Sequence, residues 1–310
     1  MKSIKNVLLC GLGGLGCICA TAISDSKVGN LKVLTDVERF KRYSSNPTIF
    51  NGKNYNFDYI LPASADFQAD LVIIATKNNG FEQVLSEIKN FVSKDTIFIS
   101  LLNGIHSERR IGELFSDKNV ITCFYIGHSC IRDGRNVQQD GVYEYVIGTT
   151  QDYQKEALNL LVDYFEKTNI HYRVSDQIID EYWKKFLINV GINQVSAVTG
   201  LTLKDVKKDE KKSELLKNVM KEGAKVAEKA GIKNHKTIYD SAVHFLFEEL
   251  DDATPSMLQD IKAKRQTEVD IFAGEIIKLA KKYNVEVPAN EYIYKEIKAK
   301  EKTFVGAVNE

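Results

Sequence analysis

The feature that most constrains the fold is a glycine-rich turn near the N-terminus. An apolar run of strand length, residues 7–10, leads into Gly11-Leu12-Gly13-Gly14-Leu15-Gly16, and small and apolar residues of helical character continue to Ile23. A strand, a GxGxxG turn and a helix in this order are typical of a dinucleotide-binding unit. The first glycine permits the turn, the second lets a pyrophosphate approach the backbone, and the third allows close packing of helix on strand. The phosphates would rest on amide groups at the helix N-terminus.

Two other interpretations of this segment remain open. Lys2 and Lys5 precede an uncharged run over residues 6–24, which imitates a secretory signal or a membrane anchor. The four glycines clustered between Gly11 and Gly16 make a poor secretory or membrane helix. The other alternative is a glycine-rich turn that binds nothing. We favour the dinucleotide interpretation because the pattern stands in its required context, between a strand and a helix.

Polar residues follow three further apolar runs of the first half. Asp36 comes after the run over residues 31–34, about 20 residues beyond the glycines, where an acidic side chain accepts hydrogen bonds from the adenosine ribose and favours NAD. Against this preference, basic residues 39, 41 and 42 could hold a 2′-phosphate. Lys77 and Asn103 follow the runs over residues 71–75 and 96–102, at the edge of a doubly wound sheet where ligands bind, which makes both candidates for binding the cofactor and Asn103 a candidate for binding the substrate as well. The alternative for both is ordinary strand-end polarity.

Strand patterns end near residue 174 and helical periodicity takes over. Runs at residues 120–126 and 143–148, with an Asp133-Gly134 turn between them, predict an extension of the sheet by hairpins. We therefore predict a dinucleotide-binding α/β domain with a doubly wound sheet over residues 1–174. An all-α domain is predicted over residues 175–310. At 310 residues the chain is of the length expected for two cores.

The most informative helix spans residues 178–198. It has apolar residues on nearly opposite faces, and Lys185, Asn189 and Asn193 form a polar stripe between them at a spacing of four. A polar stripe inside a helical domain needs partners, and burial lowers the pKa of a lysine toward the range useful for proton transfer. Lys185 is thus a candidate general acid. The alternative is a lysine that extends to solvent beside Lys184.

A second helix is predicted to begin at Thr254-Pro255-Ser256, with Thr254 as N-cap and Pro255 at the first helical position. Its amides, near Ser256, are candidates for binding a carboxylate. Glu268 is predicted three turns further along the same helix, and its alternative is a solvated surface glutamate.

Composition narrows the class of partner. Lysine plus arginine and aspartate plus glutamate number 42 each, so no net charge attracts nucleic acid or an anionic membrane, and the lysine-rich stretches alternate with acids. A small molecule is the favoured partner. The five cysteines are odd in number and lack paired CxxC spacing, which argues against disulfides and a metal site and fits a reducing cytoplasm.

Taken in order, these motifs resemble the ketopantoate reductase (2-dehydropantoate 2-reductase) family over nearly the whole chain. The specific matches are Trp183-Lys184-Lys185 with Asn189 and Asn193, and Ser256-Met257-Leu258-Gln259-Asp260 followed by Thr267-Glu268-Val269-Asp270. The resemblance implies a Rossmann domain, a helical domain and an active site in the cleft between them. It implies reduction of ketopantoate to pantoate with NADPH, in pantothenate and coenzyme A biosynthesis, and leaves a homodimer open.

The resemblance also assigns roles to residues. Lys185 would donate the proton, Asn103 would position Lys185 and the nicotinamide, and Lys77 would contact the cofactor. Asn189, Asn193 and Ser256 would hold the substrate, while Glu268 would orient the substrate or Lys185.

Three departures from the family pattern leave alternatives. Asp36 stands where NADPH-dependent members have a basic residue, Gln194 where a proline commonly follows, and Leu203 where a further substrate asparagine is often found. The alternatives are a relative that reduces another 2-keto acid, and a non-catalytic NAD(P)-binding sensor.

Overall fold

The computed structural model describes residues 3–64, 66–127 and 130–304, which form two compact units. The first unit comprises the described chain up to Leu102 together with Ser107–Ile178. The second comprises Asn103–His106 together with the chain from Ile179 onwards. The sequence placed the boundary between residues 174 and 175, with Asn103 on its N-terminal side. In the structure Asn103 groups with the helical unit.

The first unit is an α/β domain, as the sequence predicts. Its described strands are β1 (Asn6–Cys10), β2 (Asn30–Leu34), β3 (Thr48–Phe50), β4 (Lys53–Tyr55), β5 (Asp58–Ile60), β6 (Leu71–Ile74), β7 (Ile97–Ser100), β8 (Val120–Gly127), β9 (Cys130–Asp133), β10 (Asn136–Gln139), β11 (Tyr143–Gly148) and β12 (Tyr172–Val174). Its described helices are α1 (Gly14–Ser26), α2 (Val37–Ser45), α3 (Phe81–Glu87), α4 (Ser107–Phe115) and α5 (Lys155–Phe165). Short 3₁₀ turns connect several of these elements.

The main sheet has the strand order β12-β11-β8-β7-β6-β1-β2-β5. In this order, all strands from β8 to β5 run parallel. Successive residues of β1 point to opposite faces, so that Val7 and Leu9 join one apolar core and Leu8 and Cys10 join the other. From β1 the sheet grows toward one edge through β2 and β5, and toward the other edge through β6 and β7. This reversal brings the turns after β1 and β6 together, where doubly wound sheets bind ligands.

A second sheet, of order β4-β3-β10-β9, was not predicted. The Asp133-Gly134 turn does close a hairpin between β9 and β10, but this hairpin lies in the second sheet. The predicted runs at residues 120–126 and 143–148 do extend the main sheet, as β8 and β11, which pair antiparallel. That part of the prediction is confirmed, and only the turn between them belongs to another sheet. Strands of three residues, such as β3 and β4, are too short to show a periodic pattern.

The described elements of the second unit are helical, which confirms the predicted class. They are α6 (Ile178–Ile188), a π-helical turn (Asn189–Asn193), α7 (Gln194–Thr199), α8 (Leu203–Lys208), α9 (Glu210–Lys229), α10 (His235–His244), a second π-helical turn (Phe245–Glu249), α11 (Ser256–Lys262), a 3₁₀ turn (Val269–Ile271), α12 (Ala273–Tyr283) and α13 (Pro288–Phe304). An apolar core that includes Trp183, Phe186 and Phe272 holds them together.

The predicted helix from Thr254 to Glu268 is corrected by the structure. Helix α11 begins at Ser256 after Pro255, with no side-chain cap, and ends at Lys262. Lys264 then adopts a left-handed conformation with φ 51°, which ends the helical path. Glu268 consequently lies in the segment between α11 and α12, and Thr254 is not the N-cap.

Among the described helices, none combines the length and the apolar composition needed to cross a membrane.

Candidate functional site

The turn between β1 and α1 is shaped by its glycines. Gly11 has φ +104°, and a Cβ at this position would lie 2.7 Å from the Ala75 carbonyl oxygen. A Cβ on Gly16 would lie 2.0 Å from the Gly11 carbonyl oxygen, so this glycine allows α1 to pack against the turn. A Cβ on Gly13 would meet only the Ala75 oxygen, at 3.9 Å. Gly11 and Gly16 are thus required by the fold, while Gly13 keeps space open beside the turn.

A cavity of about 490 Å³ in the first unit begins at this turn. Of the residues predicted to bind cofactor, its lining includes Gly11, Leu12, Gly13, Gly14, Asp36 and Lys77. Leu15 and Gly16 belong to α1 and are not among the lining residues, and Asn103 belongs to the second unit. The N-terminus of α1 has no side-chain cap, so its amides are available to a phosphate.

Two buried hydroxyls test whether the cavity suits a polar ligand. The Oγ1 atoms of Thr35 and Thr76 are buried and have no hydrogen-bond partner among the described residues, and both residues line the cavity. Buried hydroxyls are nearly always paired, so this cavity fits a ligand with its own polar groups, such as a dinucleotide. Sequence reasoning missed both threonines, although each follows a strand end as Lys77 does.

Asp36 stands at the cavity as the N-cap of α2. Its Oδ1 accepts a hydrogen bond of 2.7 Å from the Arg39 amide, and its Oδ2 lies 3.0 Å from Arg39 Nη1. The carboxylate is therefore held at the cavity wall with a guanidinium beside it, and Arg39 also lines the cavity. Arg132 adds a second guanidinium from β9, which the sequence did not indicate because about 100 residues separate it from Asp36.

Two cysteines lie near the turn. Burial raises the pKa of the Cys17 thiol to about 12 and that of Cys130 to about 11. A Cβ on Gly14 would lie 2.8 Å from Cys130 Cβ, so this cysteine packs directly on the start of α1. Thiols with raised pKa stay protonated at neutral pH and are poor nucleophiles. Both act as packing residues.

The second unit brings Lys185, Asn103 and Glu268 together. Lys185 Nζ donates to Asn103 Oδ1 at 3.4 Å, and Asn103 Nδ2 donates to Glu268 Oε2 at 2.9 Å. A carboxylate accepts but does not donate, so Glu268 fixes the amide of Asn103 with its oxygen toward Lys185. Gly104 permits the approach: its φ is +90°, and a Cβ there would lie 3.1 Å from the Ile271 carbonyl oxygen.

A second polar group forms around the end of α6. Asn193 Nδ2 donates to Asn189 Oδ1 at 3.0 Å, and Ser256 Oγ lies 3.4 Å from Asn193 Oδ1. Asn189 and Asn193 bound the π-helical turn, a feature that is frequent at functional sites. Two members of the predicted stripe, Asn189 and Asn193, are thus joined by a hydrogen bond, and Ser256 adds to them from α11.

Gln194, which stands where the resemblance implies a proline, takes a structural role. It is fully buried, its Nε2 donates to the Val190 carbonyl, and its Oε1 accepts from the amide of Ala273 at 2.8 Å. It therefore satisfies an amide at the start of α12. Leu203 is also fully buried and packs in the apolar core.

Comparison with known proteins identifies the family. Two family models match, the ketopantoate reductase PanE/ApbA model over residues 7–152 and the ketopantoate reductase PanE/ApbA C-terminal model over residues 177–301. The 2-dehydropantoate 2-reductase of Pyrococcus horikoshii is 30% identical over 238 residues, which cover 75% of this chain and 76% of the relative.

Solved structures share the fold. A D-mandelate dehydrogenase with NADH and anilino(oxo)acetate superposes with a TM-score of 0.85 at 23% identity, over 96% of this chain and 99% of the other. The dimeric ketopantoate reductase of Staphylococcus aureus gives a TM-score of 0.76 at 20% identity, also over 96% and 99%. With its dinucleotide turn, its helical second unit and these matches, the chain belongs to the ketopantoate reductase family of NAD(P)-dependent oxidoreductases.

Proposed function

We propose that this protein reduces a 2-keto acid to the 2-hydroxy acid with a nicotinamide cofactor, and that ketopantoate, reduced to pantoate for pantothenate and coenzyme A synthesis, is its substrate. The observation that supports this most is the hydrogen-bonded chain from Lys185 through Asn103 to Glu268. It provides an ammonium group held in a fixed direction, which is what reduction of a ketone requires from the protein.

When bound, the reduced cofactor supplies the hydride. Lys185 Nζ would stabilise the negative charge that develops on the carbonyl oxygen and would donate the proton that completes the hydroxyl. Asn103 holds Lys185 through its Oδ1, and Glu268 fixes Asn103. The proposed roles of Lys185 and Glu268 as catalytic residues rest on this arrangement.

The amides of Asn189 and Asn193 and the hydroxyl of Ser256 are proposed to bind the substrate's carboxylate and hydroxyl. They form a connected group of donors and acceptors, to which Ser256 belongs as the first residue of α11. Because each amide has both a donor and an acceptor, the group suits a ligand that offers both.

A different 2-keto acid is the second candidate substrate. The resemblance raises it, because Leu203 stands where it implies a further substrate asparagine, and in the structure Leu203 is fully buried in the apolar core. Without that asparagine, the site would favour a keto acid with an apolar side chain over one with a hydroxyl. The structurally similar D-mandelate dehydrogenase, whose complex contains anilino(oxo)acetate, makes aryl keto acids the first alternatives to test.

The cofactor is proposed to be NADH, because Asp36 is fixed at the cavity wall by its capping bond. Its carboxylate accepts hydrogen bonds from ribose hydroxyls and repels a 2′-phosphate. NADPH, which the family resemblance implies, is the alternative, favoured by Arg39 and Arg132 in the same cavity. Gly11 through Gly14 and Lys77 are proposed to bind the phosphate side of either cofactor.

Asp36→Asn tests this preference. Asparagine retains the helix cap but removes the charge and frees Arg39, so we expect the ratio of kcat/KM for NADPH to that for NADH to rise about tenfold or more. Steady-state kinetics with both cofactors measure the ratio. Glu38→Gln, the adjacent exposed carboxylate, is the matched control. An unchanged ratio would remove Asp36 from the ribose site.

The direct test of the function is loss of nicotinamide absorbance with ketopantoate, with NADH and NADPH in parallel. We expect ketopantoate-dependent turnover. Turnover only with apolar or aryl 2-keto acids would establish the second candidate instead. Cofactor binding without turnover of any keto acid would contradict both and favour a non-catalytic sensor.

We also propose a reducing, cytoplasmic setting, because none of the five cysteines forms a disulfide in the structure and four of them are buried. A homodimer is proposed by analogy with the dimeric Staphylococcus aureus relative.

A further inference from the structure

The segment that presents Glu268 is not a helix, so its conformation needs another source of order. It connects α11, which ends at Lys262, to α12, which begins at Ala273, and only the short 3₁₀ turn Val269–Ile271 interrupts it. Connecting segments of this kind are usually more mobile than helices. A carboxylate that fixes an active-site amide has to be held within a fraction of an ångström.

The residue before Glu268 is tied to α13. Glu301 Oε1 accepts hydrogen bonds from both the amide and the hydroxyl of Thr267, at 2.7 and 2.6 Å. The Glu301 side chain is 11% exposed, so these are charge-assisted bonds in a largely dry environment.

The residue two positions after Glu268 is tied to the same helix. Asp270 Oδ1 accepts from the Tyr294 hydroxyl at 2.9 Å, and Asp270 Oδ2 accepts from Lys298 Nζ at 2.7 Å. Lys298 also reaches Glu301 Oε2 at 3.2 Å and so joins the two attachments. Tyr294, Lys298 and Glu301 are spaced by four and three residues, which places them on one face of α13.

We propose that Lys298 and Glu301 are positioning residues of the active site, which act by holding both sides of Glu268 so that its carboxylate stays on Asn103. The inference rests on the proposed function. Among the described residues, the hydrogen bonds of Lys298 and Glu301 reach Thr267 and Asp270 but not Lys185, Asn103 or Glu268. The two residues therefore act through the segment 267–270. The position of the Glu268 carboxylate thus depends on α13, the last helix of the described chain.

Hydrogen exchange tests the clamp without reference to activity. In Lys298→Met and Glu301→Ala we expect amide exchange of the peptide over residues 264–272 to rise at least tenfold, with little change in α12. Lys295→Met removes an exposed lysine from the same helix and is the matched control. Glu301→Gln keeps an acceptor for Thr267 and should restore most of the protection. Unchanged exchange in both disruptive variants would overturn the proposal, whatever the enzyme's activity.

A double-mutant cycle with Glu268→Gln links the clamp to catalysis. If Lys298 acts through Glu268, Lys298→Met lowers kcat/KM about tenfold in the wild-type background but less than twofold in Glu268→Gln. A general structural role would lower activity by the same factor in both backgrounds, and that result would contradict the proposal. If the wild type reduces no 2-keto acid, the proposed function fails, and hydrogen exchange still decides whether α13 holds the segment.

Discussion

Lys185→Met should lower kcat by about three orders of magnitude while the affinity for the cofactor stays within twofold. The expected loss follows from the contribution of a positioned general acid, on the order of 10²–10⁴ in rate. Methionine has a similar length and no charge, so it removes the proton donor with little change in packing. The cofactor cavity is lined by residues of the first unit, which this substitution does not touch. Turnover at saturating substrate and titration with NADH measure the two quantities.

The neighbouring lysine supplies the control. Lys184 lies on the same helix, but its Nζ is placed over the ring of Phe245 at 5.7 Å. Lys184→Met should therefore leave kcat within a factor of about three. Equal losses in the two variants would show a general effect of charge on α6, and near-normal kcat in Lys185→Met would remove the general-acid role.

The α/β class of the first domain and the all-α class of the second could be predicted from the sequence because each has a strong local signal. The GxGxxG turn needs glycine for reasons that act within a few residues, as the φ of Gly11 shows. The stripe of Lys185, Asn189 and Asn193 was predicted from helical periodicity alone, and the pairing of Asn189 with Asn193 persists across the π-helical turn that they bound.

The non-helical conformation of the segment that contains Glu268 could not be predicted in the same way. Residues 256–272 contain apolar residues at helical spacing, and no proline or glycine marks the break after Lys262. The break is stabilised by partners distant in sequence, Glu301 and Lys298 on α13. Tertiary contacts therefore override local helical propensity at this point. Thr35, Thr76 and Arg132 were missed for a related reason, because their position at the cavity depends on how separate strands assemble.

Two glycines of the turn between β1 and α1 should affect different properties, Gly16 the stability of the fold and Gly13 the binding of the cofactor. Gly16→Ala should lower the free energy of unfolding by about 3 kcal/mol or more, since overpacking costs on the order of 1–3 kcal/mol and here the added carbon would meet backbone. The contact is with the Gly11 carbonyl oxygen, at 2.0 Å in the unrelaxed geometry. Backbone at the end of a central strand has little freedom to move. Chemical denaturation of the purified variant measures the change.

Gly13→Ala should behave in the opposite way. Its Cβ would meet only the Ala75 oxygen, at 3.9 Å, and its φ of −78° suits any residue, so stability should fall by less than about 1 kcal/mol. The methyl group would, however, enter the space beside the α1 amides where the pyrophosphate is proposed to lie, and the Kd for NADH should rise at least tenfold. Unchanged NADH affinity in a stable Gly13→Ala protein would place the pyrophosphate elsewhere. A loss of stability equal to that of Gly16→Ala would show that Gly13 also serves the fold, and this glycine would then no longer argue for a bound dinucleotide.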